Sequence, residues 1–128
     1  MKDNMEKPNE LDYANLLPIM DVNEGLGRLR NNKKLYFTLL KSFSGRQMAD
    51  DLIGFINSGN FEKAAQTAHA IKGVAANLSL NELNKVASDI EGRAKKEENA
   101  GDLIPALDEV INASMQAINT LLESEGAK

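Results

Sequence analysis

The chain of 128 residues has no cysteine, no tryptophan and a single histidine, His69. Without cysteine there can be no disulfide, no thiolate nucleophile and no Cys-based zinc site. One histidine on its own leaves no ordinary zinc or copper ligand set. Aromatic residues make up only 5% of the chain, so Ala, Leu, Ile and Met must fill most of the core, which favours packed helices over a β-sandwich. No apolar run approaches the roughly 20 residues needed to span a bilayer. The opening stretch, MKDNMEKPNELDYANLL, has no long apolar core and is too acidic for a secretory signal. Membrane insertion is therefore not expected, and a cytoplasmic location fits. Positive charge is not in excess either: 15 Lys and Arg are interspersed with 19 Asp and Glu, for a net charge of −4. Nucleic-acid binding needs clustered cations that displace counterions from phosphates, and none is expected here. Neither a G-x-x-x-x-G-K-S/T phosphate loop nor a G-x-G-x-x-G turn is present, so the chain shows no nucleotide site.

What remains is a chain long enough for one modest core. Residues 1–10 are polar and read as a flexible N-terminal segment; residues 11–125 read as one domain. Leu11 to Leu17 predicts a short helix closed by Pro18, since proline disfavours helix in the residue before it. Asp21, followed three residues on by Glu24, has the form of a capping box and predicts a helix over Val22 to Arg30. From Lys33 to Asn57, apolar residues recur at helical spacing, predicting one long helix with a weak point at Ser44-Gly45. Gly59 and Asn60 mark a stop followed by a start, opening a helix with Phe61, Ala64, Ala65, Ala68, Ile71, Ala75 and Leu78 as its apolar stripe. Ser79-Leu80-Asn81-Glu82 reads as another capping box. After a break at Asn99 to Asp102, Pro105 lies in the first turn of a last helix, where its missing N–H is tolerated. No segment alternates as a strand does. The expectation is an all-α fold, an antiparallel up-down-up-down four-helix bundle with one or two short N-terminal capping helices.

His69 lies about 120° from the centre of its helix's apolar stripe on a helical wheel, hence at the flank or outside. Its neighbours at three and four positions are Ala65, Gln66, Lys72 and Gly73, with Ala76 a turn further. Ala65, Gly73 and Ala76 clear space around the ring. Gly73 weakens the helix, and close approach of a partner backbone would explain it. Lys72 places a cation where a group transferred to the imidazole would carry negative charge. The plainer reading is an ordinary surface histidine beside a solvated lysine. Acidic pairs such as Asp50-Asp51 and Glu97-Glu98 read as solvated helix faces.

At these residues the chain resembles the histidine phosphotransfer (HPt) domains of bacterial two-component phosphorelays. Ala68, His69, Ile71, Lys72, Gly73, Ala75 and Leu78 match the family's motif, Met20 to Leu26 resembles its first-helix signature, and the resemblance extends over residues 19 to 122. Ser79 departs from it, standing where the family usually has glycine. The resemblance implies a phosphorelay intermediate: His69 accepts a phosphoryl group through Nε2 from a receiver-domain phospho-aspartate and passes it to another receiver. Lys72 and Gln66 would stabilise the phosphoryl group, and Ala65, Gly73 and Ala76 would admit the receiver. The partners implied are response-regulator receiver domains and a hybrid sensor histidine kinase. Mg²⁺ would sit on the receiver, with no cofactor and no ATP site on this chain, which would act as a carrier and not an enzyme. A monomer would keep His69 most accessible. Two other readings stay open: a bundle that binds partners without carrying phosphate, and a small hydrolase with His69 as general base.

Overall fold

The structure, a computed structural model, describes Tyr13 and residues 16–126. Among the described residues every element is helical: α1 (Val22–Arg28), α2 (Lys33–Lys41), α3 (Gly45–Asn57), α4 (Phe61–Leu78), α5 (Asn81–Lys95), a 3₁₀ turn (Gly101–Leu103) and α6 (Ile104–Gly126). No helix of the described residues is long and apolar enough to cross a membrane. The predicted flexible segment lies outside the described residues, as does most of the predicted Leu11–Leu17 helix. Of the latter, Tyr13 is helical and buried, whereas Leu16 to Ile19 form a turn.

Helices α3, α4, α5 and α6 close a ring in which α3 and α5 each pack against both α4 and α6. Its core is aliphatic: Leu52, Ile71, Leu83, Ile90, Leu107, Ile111 and Ile118 are fully buried. The α3–α6 seam also carries a polar strap, with Arg46 donating to Asp50, Asp108 and Asn112. That strap accounts for the sparse apolar content at the start of α3. Helices α1 and α2 pack over the C-terminal end of α4, where the Tyr36 hydroxyl donates to the Leu78 carbonyl and the Asp21 N–H to the Ser79 carbonyl.

Several predicted signals act as expected. Asp21 Oδ1 accepts from the Glu24 N–H, and Asn60 Oδ1 from the Lys63 N–H. Gly59, at φ 73°, sits in the left-handed region past the end of α3. Helix α1 ends at Arg28, two residues before the predicted Arg30.

Two predictions are corrected. The single helix over Lys33 to Asn57 is two helices, α2 and α3, separated at Ser42 to Ser44. The Ser42 hydroxyl donates to the Leu39 carbonyl, offering the backbone an alternative to continued helix. The break turns Phe43 inward until it is 8% exposed. A Cβ on Gly45 would stand 2.5 Å from this ring, so any larger residue there would force Phe43 to shift. Ser79, in turn, does not cap α5. It closes α4 in the left-handed conformation (φ 58°, ψ 36°), with the Leu80 N–H bonded to the Ala75 carbonyl and the Ser79 N–H to that of Ala76, a Schellman ending. Its hydroxyl accepts from Arg28 Nη1 at 2.6 Å, and Leu80 opens α5 without a side-chain cap.

Candidate functional site

Helix α4 buries Ala64, Ala68, Ile71, Ala75 and Leu78, which leaves His69 on the far side with 69% of its side chain exposed. The ring nevertheless has a fixed partner. His69 Nδ1 lies 2.9 Å from Glu91 Oε2 on α5. Glu91 is 5% exposed and collects two further contacts: Lys72 Nζ at 2.7 Å from Oε1 and Lys95 Nζ at 3.1 Å from Oε2. The α4–α5 register that brings these groups together is fixed nearby, where Asn84 Nδ2 donates to the Lys72 carbonyl at 3.0 Å.

The electrostatics decide the histidine's tautomer. The hydrogen bond from Lys72 is the main influence holding the Glu91 carboxyl down to about 2; burial opposes it, and Lys95 and His69 assist. Glu91 is therefore an anion at neutral pH and can only accept hydrogen bonds. His69 Nδ1 must then be the protonated nitrogen, which leaves the Nε2 lone pair available in the neutral ring. An exposed ring anchored through its Nδ1–H, with Nε2 not engaged by Glu91, is the arrangement that an imidazole nucleophile requires.

The predicted site residues fall around this centre in different ways. Gln66 and Ala65 line an open depression together with His69, Glu91 and Lys95. Gly73 is exposed, and a Cβ there would meet nothing within 4 Å, so nothing in the chain's own packing calls for glycine. Ala76 is half-buried, and its carbonyl accepts from Arg28 Nη1. Lys72 is two-thirds buried with its amine on Glu91. Glu91 and Lys95 were not among the predicted residues. A wheel places Glu91 roughly 70° from the centre of the α5 stripe, on a flank where an antiparallel neighbour can cover it, and Lys95 follows at the pairing distance of four. Those two positions were the available signal. Among the described residues no group of three or more acidic or histidine side chains could hold a metal ion.

No curated protein and no solved structure gives a significant match. A family model described as the Hpt domain matches residues 43–119, which run from the α2–α3 break into α6 and include His69, Lys72, Glu91 and Lys95. The chain belongs to the Hpt domain family, the histidine phosphotransfer modules that serve as phosphocarriers in two-component phosphorelays.

Proposed function

We propose that His69 is the phosphorylated residue and that the chain relays a phosphoryl group between two receiver domains. The observation that carries this reading is the exposed imidazole whose Nδ1 is bound to a buried, ionised glutamate. In the forward step the Nε2 lone pair forms the N–P bond as the P–O bond to the donor's aspartyl carboxylate breaks. The ring acquires a positive charge, and Glu91 stabilises it through the Nδ1–H. Passing the phosphoryl group on reverses these changes: the N–P bond breaks toward a carboxylate of the second receiver, and the imidazole leaves as the neutral ring. Keeping Nδ1 protonated makes it the better leaving group. Phosphoryl transfer depends on positioning and charge stabilisation more than on covalent chemistry by the protein, so an oriented nucleophile suffices on this side. The receiver supplies Mg²⁺, and the carrier needs no cofactor of its own.

Gly73, with open space at its flank, Ala65 in the depression beside the ring and Ala76 two turns along α4 let the receiver backbone come close. Gln66, at the rim of the same depression, is placed to donate a hydrogen bond to a phosphoryl oxygen. Lys72 serves the phosphoryl group by fixing Glu91. The expected source is a receiver domain, including that of a hybrid sensor histidine kinase, and the chain works as a cytoplasmic monomer.

The test is phosphotransfer from a receiver domain carrying labelled phospho-aspartate. Wild type should become labelled and His69→Gln should not. Equal labelling of both would remove His69 from the reaction. Stable partner binding with no phosphohistidine in any pairing would turn the reading to a non-carrying adaptor.

A further inference from the structure

Two lysines sit on Glu91, and the geometry distinguishes them. Lys72 Nζ is 2.7 Å from Oε1, is two-thirds buried, and is the partner of that oxygen. Lys95 Nζ is 3.1 Å from Oε2, an oxygen that it shares with His69 Nδ1. Two-thirds of the Lys95 side chain is exposed, and it lines the same depression as the imidazole. If Lys72 left, Oε1 would be stripped of its cation and a buried charge left poorly compensated, which is strongly unfavourable. If Lys95 left, Glu91 would still hold Lys72 on one oxygen and the Nδ1–H on the other.

We propose that Lys95 is the phosphoryl-binding cation of this site: it rests on Glu91 when His69 is bare and moves to the phosphoryl oxygens when His69 is loaded. The proposal rests on His69 being the phosphorylated residue. The exchange makes and breaks ion pairs only; no covalent bond changes. A phosphoryl group carries about −1.5 to −2 charges at neutral pH, against the single charge of a carboxylate that Lys72 and His69 already share. The Lys95 end of the pair is two-thirds exposed to water, which screens its hold on Glu91, and lysine is a point charge on a flexible stem, so Lys95 can follow the larger charge. Lys72 stays behind and holds Glu91, and hence the ring, in place.

The test loads the full chain with potassium phosphoramidate, which phosphorylates imidazole nitrogen with release of ammonia. Since His69 is the sole histidine, a phosphohistidine signal in ³¹P magnetic resonance identifies its site. Lys95→Gln should shorten the phosphohistidine half-life about five-fold, the scale of a single charge-assisted contact, with the circular dichroism spectrum unchanged. Lys95→Arg should restore it to within about two-fold of wild type, given the retained charge. The shortening should persist when Lys95→Gln is made in a Glu91→Gln background, because the contact is with the phosphoryl group and not through Glu91. A Lys95→Gln half-life equal to that of wild type overturns the proposal while leaving His69 as the acceptor. An effect that vanishes in the Glu91→Gln background overturns it as well. Wild type that takes no phosphoryl group, either from phosphoramidate or from a phosphorylated receiver, overturns both readings.

Discussion

A carboxylate as enclosed as Glu91 would ordinarily oppose folding, because an ionised group in a low-dielectric setting loses its hydration. Glu91 is tolerated because Lys72, Lys95 and His69 converge on its two oxygens. Stability should therefore depend on pH in a defined direction. The carboxyl lies at about 2 in the folded chain against an ordinary 4.5. A depressed carboxyl contributes stability above its unfolded value and loses it as pH falls through the folded value. The contribution should thus be complete above about pH 4.5 and fade toward pH 2. By the usual conversion it is worth at most about 3 kcal/mol, and the water around Lys95 lowers that figure. Urea midpoints from pH 6 down to 2 should fall more steeply for wild type than for Glu91→Gln, which should also be less stable at neutral pH. Parallel curves for the two proteins would remove the ion cluster as a source of stability. His69 could be picked out in the sequence because the chain has one histidine with small neighbours. Glu91 could not, since a glutamate on an amphipathic helix looks like any solvated acid until the adjoining helix is laid beside it.

At the level of single elements, the helix ends separate local from distant control. Asp21 and Asn60 were readable as caps because their oxygens bond backbone N–H groups within the same turn. Serine suits a cap, which is why Ser79 reads as one, but in the fold its hydroxyl accepts from the guanidinium of Arg28, 51 residues upstream. A left-handed serine costs roughly 1–2 kcal/mol, and a hydrogen bond to a charged group returns about 1.5–3 kcal/mol. Ser79→Ala, which keeps the strain and loses the bond, should lower stability by about 1–2 kcal/mol in chemical denaturation. Ser79→Gly, which loses both, should lie within about 1 kcal/mol of wild type. If glycine proved as damaging as alanine, backbone strain would play no part at this junction. The split between α2 and α3 is a milder version of the same problem. The serines and glycine marked a weak point, but only the core's demand for Phe43 makes it a break.

Taken as a whole, the molecule joins a segment matched by the family to a helical clamp. The segment matched by the family begins at residue 43, so α1 and α2 lie outside it, yet they hold the end of α4 through Tyr36, Arg28 and Asp21. Their packing is close: a Cβ on Gly25 would stand 2.7 Å from the Tyr36 ring, which is fully buried and bonded to the Leu78 carbonyl. Gly25→Ala should therefore destabilise the chain by about 1–3 kcal/mol, the range for overpacking a core. Phosphoryl labelling of His69 should survive at temperatures where the variant stays folded, because the His69–Glu91–Lys72 cluster belongs to α4 and α5. Loss of labelling in a folded variant would show that the clamp controls the chemistry and not only the stability of α4.

The lone imidazole also serves as a reporter. With one histidine in the chain, its ring resonances need no assignment, and ¹⁵N shifts of the two nitrogens distinguish the protonated from the bare one. The proton held on Nδ1, the proposed arrival of phosphorus on Nε2 and the docking of a receiver can each be followed on a single spin system.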